Sequence, residues 1–352
     1  MVDLDRIVDD TIQLLGKNMA KNYRVIVLLV GPPGSGKSTV AQSLCDAINA
    51  KYTSYLSNFT GKHGESPIKY QQVHEDEVNI LKNVNEISVP LQKYLVENDG
   101  IMPQCVEDVK FEPVKIQAND GSTVVIGRGG LPNSVKIAAN ESELFSNIEL
   151  SQVVPMDGFH LSRNCLDNFT DPVEAHKRRG SPMTFDSNNF LQLCKALCET
   201  AKITARNNVG TIEQNNSIET VFDAVSSTFI SNIPCICIPG FNHALKDPST
   251  AALTIPSQSR ILILEGLYLL YDKENWANIH KIVEGTASYL IYNIDISESV
   301  LQDRVAKRHL KSGLVSSYEE GVKKFQGNDL LNARDIKSNT IKAHSVITIT
   351  ND

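Results

Sequence analysis

The feature that most constrains the fold is a glycine-rich loop that lies between an apolar run and a helical segment. The apolar run is Val25–Val30, and the loop after it reads Gly31-Pro32-Pro33-Gly34-Ser35-Gly36-Lys37-Ser38, which fits the pattern G-x-x-x-x-G-K-[ST]. Glycines at these places let the backbone turn closely around an anion, so that successive N–H groups and a helix N-terminus surround a phosphate. The spacing predicts a nucleotide phosphate site made by these eight residues and Thr39.

Two side chains of this loop add chemistry to the backbone cradle. Lys37 supplies a point charge to the β- and γ-phosphate oxygens, and Ser38 offers a hydroxyl to Mg²⁺. The loop follows a predicted strand and opens a predicted helix, which is the context that the motif requires. ATP and Mg²⁺ are therefore the predicted cofactors.

Hydrophobic periodicity predicts a doubly wound α/β fold around this loop. Short β-branched runs alternate with amphipathic segments, as in a parallel sheet that is covered by helices on both faces. The predicted strands are 24–30, 152–156, 260–264, 289–294 and 345–350. The predicted helices are 2–17, 37–50, 190–206, 298–311 and 317–325. Together they predict a P-loop NTPase fold with a five-stranded parallel sheet.

A long segment separates the first helix from the second strand of this sheet. Residues 54–150 stand where one short crossover is usual, so we expect an inserted subdomain there and a core made of 1–53 and 151–352. Within the insertion, 75–97 is predicted to be helical, and 114–117 and 123–126 flank Asn119-Asp120-Gly121, a turn that favours a hairpin. The insertion holds 8 Lys/Arg and 14 Asp/Glu, a net charge of −6.

Charge and cysteine content exclude several classes of protein. The whole chain has a net charge of −7, whereas a protein that binds a phosphate backbone needs a basic face. Its longest apolar run is far shorter than the ~20 residues that cross a bilayer, and the acidic first residues do not resemble a signal peptide. Seven scattered cysteines suit reduced thiols. We expect a cytoplasmic protein without nucleic-acid partners or a membrane span.

Carboxylates follow two of the predicted strands. Asp157 follows the run 153–156 and Glu265 follows 261–264, and each precedes a glycine. Acids often end strands merely as turn formers. However, a carboxylate at the carboxyl end of a strand faces the ligand crevice of an open α/β sheet, and phosphoryl transfer needs carboxylates to hold Mg²⁺ and accept a proton. Beside a phosphate loop, both become candidate catalytic residues.

Several motifs together resemble the phosphoribulokinase/uridine kinase/pantothenate kinase group of P-loop kinases. The resemblance covers 24–49 and 152–352. Besides the phosphate loop, it rests on Met156-Asp157-Gly158-Phe159-His160, Arg179-Gly180-Ser181-Pro182-Met183-Thr184-Phe185-Asp186, Pro239-Gly240-Phe241-Asn242-His243 and Leu264-Glu265-Gly266, which stand in the family's order. The residues look closest to the nucleoside-kinase-like branch and to pantothenate kinase. The insertion has no counterpart in the short-chain members.

The resemblance implies roles for individual residues. Asp157 matches the family's general base, and Glu265 its magnesium-side carboxylate. Asp186 matches an acceptor-hydroxyl contact. Acceptor-side positions are also matched by Phe159, His160, Phe241 and His243. Asn242 stands where relatives commonly have aspartate, so this sequence departs from the family's pattern in that wall. His160 has an equal alternative role, a hydrogen bond within its loop.

Basic side chains complete the candidate site. Arg178 and Arg179 lead into a Gly-Ser-Pro turn, where a guanidinium could grip an anionic group of the acceptor, although a solvated charge run is an equal alternative. Arg304 and Arg308 recur at helical spacing where family members place a lid that closes on ATP. Closing arginines would neutralise developing charge and exclude water, whereas an exposed basic helix face is the simpler alternative.

These observations lead to one hypothesis and one rival. The hypothesis is an ATP-dependent kinase that transfers the γ-phosphate to a hydroxyl of a metabolite that is nucleoside-, pantothenate- or sugar-like. The rival is a nucleotide-binding regulatory or scaffold protein that presents the acidic insertion to a partner. The insertion could also form a homodimer. Acceptor identity depends on pocket shape and a few hydrogen bonds, which motifs do not encode.

Overall fold

The computed structural model describes residues 2–139, 148–206 and 217–351. In chain order the strands are β1 (Val25–Val30), β2 (Tyr70–Gln71), β3 (Asn85–Glu86), β4 (Val114–Gln117), β5 (Thr123–Ile126), β6 (Val135–Ala138), β7 (Ser151–Pro155), β8 (Phe229–Ile230), β9 (Cys235–Asn242), β10 (Asp247–Ile255), β11 (Ile261–Gly266), β12 (Tyr289–Asp295) and β13 (Val346–Thr350). The α-helices are α1 (Leu4–Asn18), α2 (Lys37–His63), α3 (Glu75–Val78), α4 (Val89–Glu97), α5 (Arg163–Leu166), α6 (Pro172–Lys177), α7 (Ser187–Lys202), α8 (Ile218–Ser226), α9 (Trp276–Glu284), α10 (Glu298–Lys311), α11 (Tyr318–Lys324) and α12 (Leu330–Ser338).

A five-stranded parallel sheet forms the centre of the molecule and confirms the predicted P-loop NTPase fold. Its strand order is β13-β12-β1-β11-β7. The phosphate-loop strand β1 pairs with β11 on one side and β12 on the other, in registers that place Val25 beside Ile261 and Ile26 beside Tyr289. Because parallel strands end at a common edge, the loops after β1, β7 and β11 lie together.

Helices cover both faces of this sheet, which explains why its strands read as continuous apolar runs. Alternate β1 residues enter different cores: Ile26 and Leu28 pack in the core with α7 and α9, whereas Val27 and Leu29 pack with α1, α2 and α8. All six residues of β1 are buried. Among the described residues, no helix has both the length and the apolar character that crossing a bilayer requires.

A second sheet joins the insertion to the core and was not predicted. Its order is β10-β9-β6-β5-β4-β3, and it includes the predicted hairpin, with Val114 opposite Ile126. Strand β6, from the insertion, pairs antiparallel with β9, which places Lys136 opposite Cys237. Moreover, α2 continues past residue 54 to His63. The segment 54–150 therefore shares a helix and a sheet with the rest of the chain.

The single helix predicted over 75–97 is wrong. The structure has two helices there, Glu75–Val78 and Val89–Glu97, and the short strand Asn85–Glu86 lies between them. The second helix has Ser88 as its N-cap and a proline in its first turn, a combination that begins a helix and does not continue one. The apolar residues that suggested one continuous helix therefore lie in two separate helices and the strand between them.

Candidate active site

The phosphate loop is fixed by helix α10 and by the residue that follows β13. Gly34 has a φ of +83°, and a β-carbon there would lie 2.6 Å from Cγ2 of Val305 in α10. Asn351 donates a hydrogen bond from Nδ2 to the backbone oxygen of Ser35, at 2.8 Å. The loop is therefore held on the side of α10 as well as by its own helix α2. Asn351 belongs to no motif, and its position directly after β13 is the only sequence signal that points to it.

Lys37, Ser38 and Glu265 form one contact group at the edge of the sheet. The Lys37 Nζ lies 3.7 Å from Glu265 Oε1, and the Ser38 hydroxyl donates to the same oxygen at 3.1 Å. Glu265 is 5% exposed and Lys37 is 9% exposed. Burial raises the pKa of Glu265 above its ordinary value, while the charge of Lys37 opposes that shift. The lysine thus stabilises the ionised carboxylate in a buried setting.

Asp157 lies within electrostatic reach of this group. It follows β7 in a short 3₁₀ turn, Met156–Phe159, and is half-buried. Its charge contributes to the raised pKa of Glu265. The two carboxylates and the phosphate-loop lysine predicted from the sequence therefore lie close to one another.

The donor set in this cleft fits Mg²⁺. Magnesium prefers oxygen ligands, and it is usually held by one or two carboxylates together with substrate phosphates. The Ser38 hydroxyl and the Glu265 carboxylate, which are in hydrogen-bond contact, supply two such oxygens. Within 2–139, 148–206 and 217–351, no group of three or more His, Cys, Asp or Glu side chains is placed to hold a metal. A cation at Ser38 and Glu265 would thus depend on phosphate oxygens to complete its shell.

The predicted lid arginines lie on α10, close to the phosphate loop. Arg304 lines a cavity of about 450 Å³ together with Gly34, Gly36 and Thr39. Arg308 is exposed and lies one helical turn further on. Lys307 on the same helix instead pairs with Asp303 at 2.8 Å. Arg304 therefore adjoins the predicted nucleotide site, whereas Arg308 would need the helix or its side chain to move.

Aromatic rings form a row that begins beside the Asp157 turn. We call Phe185, His160, Phe241 and His243 the ring wall, because successive ring centroids lie 4.0, 4.8 and 5.3 Å apart. His160 Nδ1 is 2.8 Å from the backbone oxygen of Asp157. Burial lowers the pKa of His160, and the Asp157 charge opposes that shift. The imidazole is therefore neutral near pH 7 and also makes the loop contact that sequence analysis left open.

Gly158 lets the Asp157 turn lie directly against β9. A β-carbon at Gly158 would overlap the carbonyl oxygen of Pro239, so only a glycine fits without displacing the strand. The strand that carries Phe241 is held beside Asp157 through this contact.

We expect Gly158→Ala to lower acceptor-dependent turnover by at least about tenfold, because a shift of about 1 Å in a reacting group is costly. The affinity for ATP should change little. Gly61→Ala is a matched control, since a β-carbon there meets nothing within 4 Å in helix α2. Kinetics of both variants check the prediction, and equal activities would contradict it.

The two arginines predicted on the acceptor side already have partners. Arg179 donates to Asp247 Oδ1 at 2.7 Å and to the backbone oxygens of Leu161 and Lys246. Arg178 donates to the side-chain oxygens of Asn328 and Asn332, at 2.7 and 3.1 Å. Asn328 lies in a π-helical turn, Phe325–Asp329, directly before α12. Arg178 thus connects its loop to the segment that follows α10 and α11.

Phe159 and Asp186 differ from the expectation that they contact the acceptor. Both are fully buried. The Phe159 ring packs edge-on against Phe190, with centroids 5.0 Å apart. The carboxylate of Asp186 accepts hydrogen bonds from the backbone N–H groups of Asn189 and Gly129, at 3.0 and 2.8 Å. Asp186 therefore caps α7 and binds the insertion to the core.

We expect Asp186→Ala to lower the free energy of unfolding by about 3 kcal/mol, because it removes a helix cap and leaves a buried N–H unpaired. The control is Asp171→Ala, which removes the cap of α6 in an exposed setting and should cost about 1 kcal/mol. Urea unfolding of both variants measures the difference. Similar losses in the two variants would show that Asp186 is only a cap.

Sequence analysis missed two insertion residues that support the site. Asn133 is fully buried and donates from Nδ2 to the backbone oxygens of Gly158 and His160, at 2.8 and 2.9 Å. Arg128 is 2% exposed and donates to the backbone oxygen of Phe185 at 2.7 Å. Neither residue lies in a recognisable motif. Both hold backbone next to the ring wall.

Sequence comparisons relate this chain to known nucleotide-binding proteins. A family model described as an AAA domain (dynein-related subfamily) matches residues 26–70, which include most of β1, the phosphate loop and α2. The ATP-dependent kinase YFH7 of Vanderwaltozyma polyspora is 48% identical, with both chains covered completely. YFH7 of Zygosaccharomyces rouxii is also 48% identical, and the alignment covers all of this chain and 91% of that one.

Solved structures give the same relationship. The crystal structure of Saccharomyces cerevisiae YFH7, described as a candidate P-loop containing kinase with a circular permutation, has a TM-score of 0.88, 47% identity and full coverage of both chains. A candidate fructose transport system kinase from Silicibacter sp. TM1040 has a TM-score of 0.53 and 20% identity over 99% of this chain and 100% of that one, which shows a shared fold. By identity and coverage, the chain belongs to the YFH7 family of ATP-dependent P-loop kinases.

Proposed function

We propose that this kinase transfers the γ-phosphoryl group of ATP to a hydroxyl group of a small metabolite. The observation that carries the proposal is the meeting of Lys37, Ser38 and Glu265 in one contact group that Asp157 adjoins. This arrangement would provide a phosphate cradle, a cation site and a carboxylate on the acceptor side. Those are the parts that phosphoryl transfer to an alcohol needs.

The nucleotide end of the site follows from the phosphate loop. Backbone N–H groups and Lys37 would hold the β- and γ-phosphates, and the cavity beside Arg304 would receive the rest of the nucleotide. Ser38 and Glu265 would hold Mg²⁺, which when bound neutralises charge on the phosphate oxygens. Arg304 and Arg308 would add positive charge and exclude water as α10 closes.

At the acceptor end, Asp157 would act as the general base. Its half-buried carboxylate would accept the proton of the acceptor hydroxyl as the oxygen attacks the γ-phosphorus. The Asn133 and Gly158 contacts would hold the turn that carries Asp157 in place. In such a site, most of the catalysis comes from positioning and electrostatic stabilisation.

A coupled assay that measures ADP release across a library of alcohol metabolites tests this proposal. We expect ADP release that depends on both Mg²⁺ and an acceptor, and that Lys37→Met abolishes. The competing function, a nucleotide-binding scaffold, predicts saturable ATP binding without any acceptor-dependent ADP. Isothermal titration with ATP, performed alongside, distinguishes a scaffold from an inactive preparation.

A further inference from the structure

The ring wall gives the acceptor side of the cleft an apolar and aromatic surface. Phe185 is fully buried at one end, whereas His243 is exposed at the other. The guanidinium of Arg179 lies 5.8 Å from the centre of the Phe241 ring. A ligand that follows this wall outward from Asp157 would therefore meet the exposed parts of His160, Phe241 and His243. Such surfaces favour a ligand that has an apolar face of its own.

The charge near the ring wall does not favour an anion. Arg179 is paired with Asp247, and its Nη atoms are used by that carboxylate and by two backbone oxygens. Recognition of a carboxylate or phosphate typically uses a guanidinium fork, and this fork is already occupied. Nε of Arg179 is buried and has no partner among the described residues. Because this N–H is buried, it is not available to an anion in the cleft either.

Three other basic residues lie near the ring wall, and each is either hydrogen-bonded to other residues or exposed to solvent. Arg178 uses its fork on the amide oxygens of Asn328 and Asn332. Arg163 and Lys246 adjoin Asp247, but both are exposed, so water and salt screen their charge. Asp157 adds a second carboxylate beside the wall. The carboxylates of Asp157 and Asp247 would therefore repel an anionic acceptor, and the guanidinium groups beside them already have hydrogen-bond partners.

We propose that the acceptor is an uncharged alcohol with a ring or other apolar face that packs on the ring wall, and not a phosphorylated or carboxylated metabolite. This inference rests on the proposed function and narrows its substrate class. In the reaction, a bond forms between the acceptor oxygen and the γ-phosphorus while the bond from that phosphorus to the β–γ bridging oxygen breaks. The hydroxyl proton passes to Asp157, and ADP is released.

Matched acceptor pairs test the charge preference. Suitable pairs are fructose and fructose 6-phosphate, ribose and ribose 5-phosphate, and pantothenol and pantothenate, with nucleosides as additional neutral acceptors. For any active pair, we expect kcat/KM of the neutral member to exceed that of the anionic member by at least about tenfold. The anionic member lacks a charge-assisted hydrogen bond that would compensate for the loss of its water shell, and one such bond contributes about this much to affinity. Preference for the anionic member would overturn the inference but leave the proposed function standing.

Two variants test the structural cause. Asp247→Asn removes the negative charge that neutralises Arg179, while the backbone contacts of the guanidinium remain, so kcat/KM for the anionic member should rise by roughly tenfold and the KM for ATP should be unchanged. Phe241→Leu should raise the KM for the neutral acceptor roughly fivefold with a smaller effect on kcat. Phe59→Leu, on the far part of α2, is the matched control for loss of a ring.

The possible results distinguish failure of the neutral-acceptor inference from failure of the proposed kinase function. If folded Asp247→Asn protein binds ATP normally and its charge preference is unchanged, the occupied fork is not the determinant and the inference fails. If Asp247→Asn does not fold, Phe241→Leu still decides, because an unchanged KM would show that the ring wall does not bind the acceptor. If ATP binds and no acceptor of either charge class is phosphorylated, the proposed function itself fails.

Discussion

Replacing Asp157 with asparagine should leave ATP binding intact and lower acceptor-dependent turnover by about 10³-fold. Loss of a general base typically costs 10²- to 10⁴-fold. The amide has nearly the size of the carboxylate, so the turn after β7 and the contacts of its backbone oxygen with His160 should persist. The reduction should appear in kcat, because proton transfer occurs as the phosphoryl group moves.

Asp46→Asn is the control for this substitution, since Asp46 is an exposed aspartate on α2 that pairs only locally with Gln42 in the described structure. It should retain wild-type kinetics. ATP affinity of both variants is measured by titration, and turnover by ADP release in the presence of acceptor. Normal turnover in the folded Asp157→Asn protein would show that another group accepts the proton.

Replacing Glu265 with glutamine should instead impair the use of Mg²⁺. The amide oxygen can still accept the Ser38 hydrogen bond, but the negative charge opposite Lys37 is lost. Because bound Mg²⁺ contributes several kcal/mol to transition-state stabilisation, we expect turnover to fall at least about 100-fold at fixed Mg²⁺. The Mg²⁺ concentration needed for half-maximal activity should rise as well.

The pH profile gives this second prediction an independent readout. Burial raises the pKa of Glu265, so the ionised form present above that pKa is lost as the pH falls through it. Wild-type activity should therefore decline on the acid side earlier than an ordinary glutamate would allow. Glu265→Gln should remove this contribution. An unchanged Mg²⁺ requirement together with an unchanged acid limb would show that Glu265 neither holds the cation nor titrates with activity.

The two carboxylate variants should thus fail in different ways. Asp157→Asn should lose turnover at every Mg²⁺ concentration, whereas excess Mg²⁺ should partly restore Glu265→Gln. This contrast distinguishes a proton acceptor from a cation ligand, even though the two side chains influence each other in one cleft.

The parallel sheet and its ligand-binding edge were predictable from sequence because both leave local signals. A strand that is buried on both faces is a continuous apolar run, and the predicted strands agree with the observed ones to within about two residues. The positions of Asp157 and Glu265 then follow from topology, since carboxyl ends of parallel strands share an edge. The contact of Lys37 with Glu265 is a consequence of these two facts.

The second sheet was not predictable in the same way. Its junction pairs β6 with β9, and the two strands are distant in sequence, so no local pattern links Lys136 to Cys237. The helix predicted over 75–97 shows the related problem that apolar spacing does not reveal a break. The pairing between the insertion and the core could therefore be identified only from the structure.

The structure also differs from the sequence-based expectations because some of its charged side chains are buried. Charged side chains such as Arg128 and Asp186 are rarely fully buried, so a sequence alone favours contact with solvent or ligand for both. In the structure both are buried beside each other, and the Arg128 charge opposes the pKa rise that burial causes in Asp186. Likewise, Asp247 occupies the fork of Arg179 from another element, a pairing that no motif records.

The most direct test of the account is ³¹P NMR of the wild-type enzyme incubated with MgATP and the best neutral acceptor from the paired library. The account predicts a new phosphomonoester resonance that grows in equal amounts with ADP and does not appear with Asp157→Asn. Release of inorganic phosphate without a phosphomonoester, or unchanged ATP in the presence of every acceptor, would contradict the claim that this cleft joins ATP to a neutral alcohol.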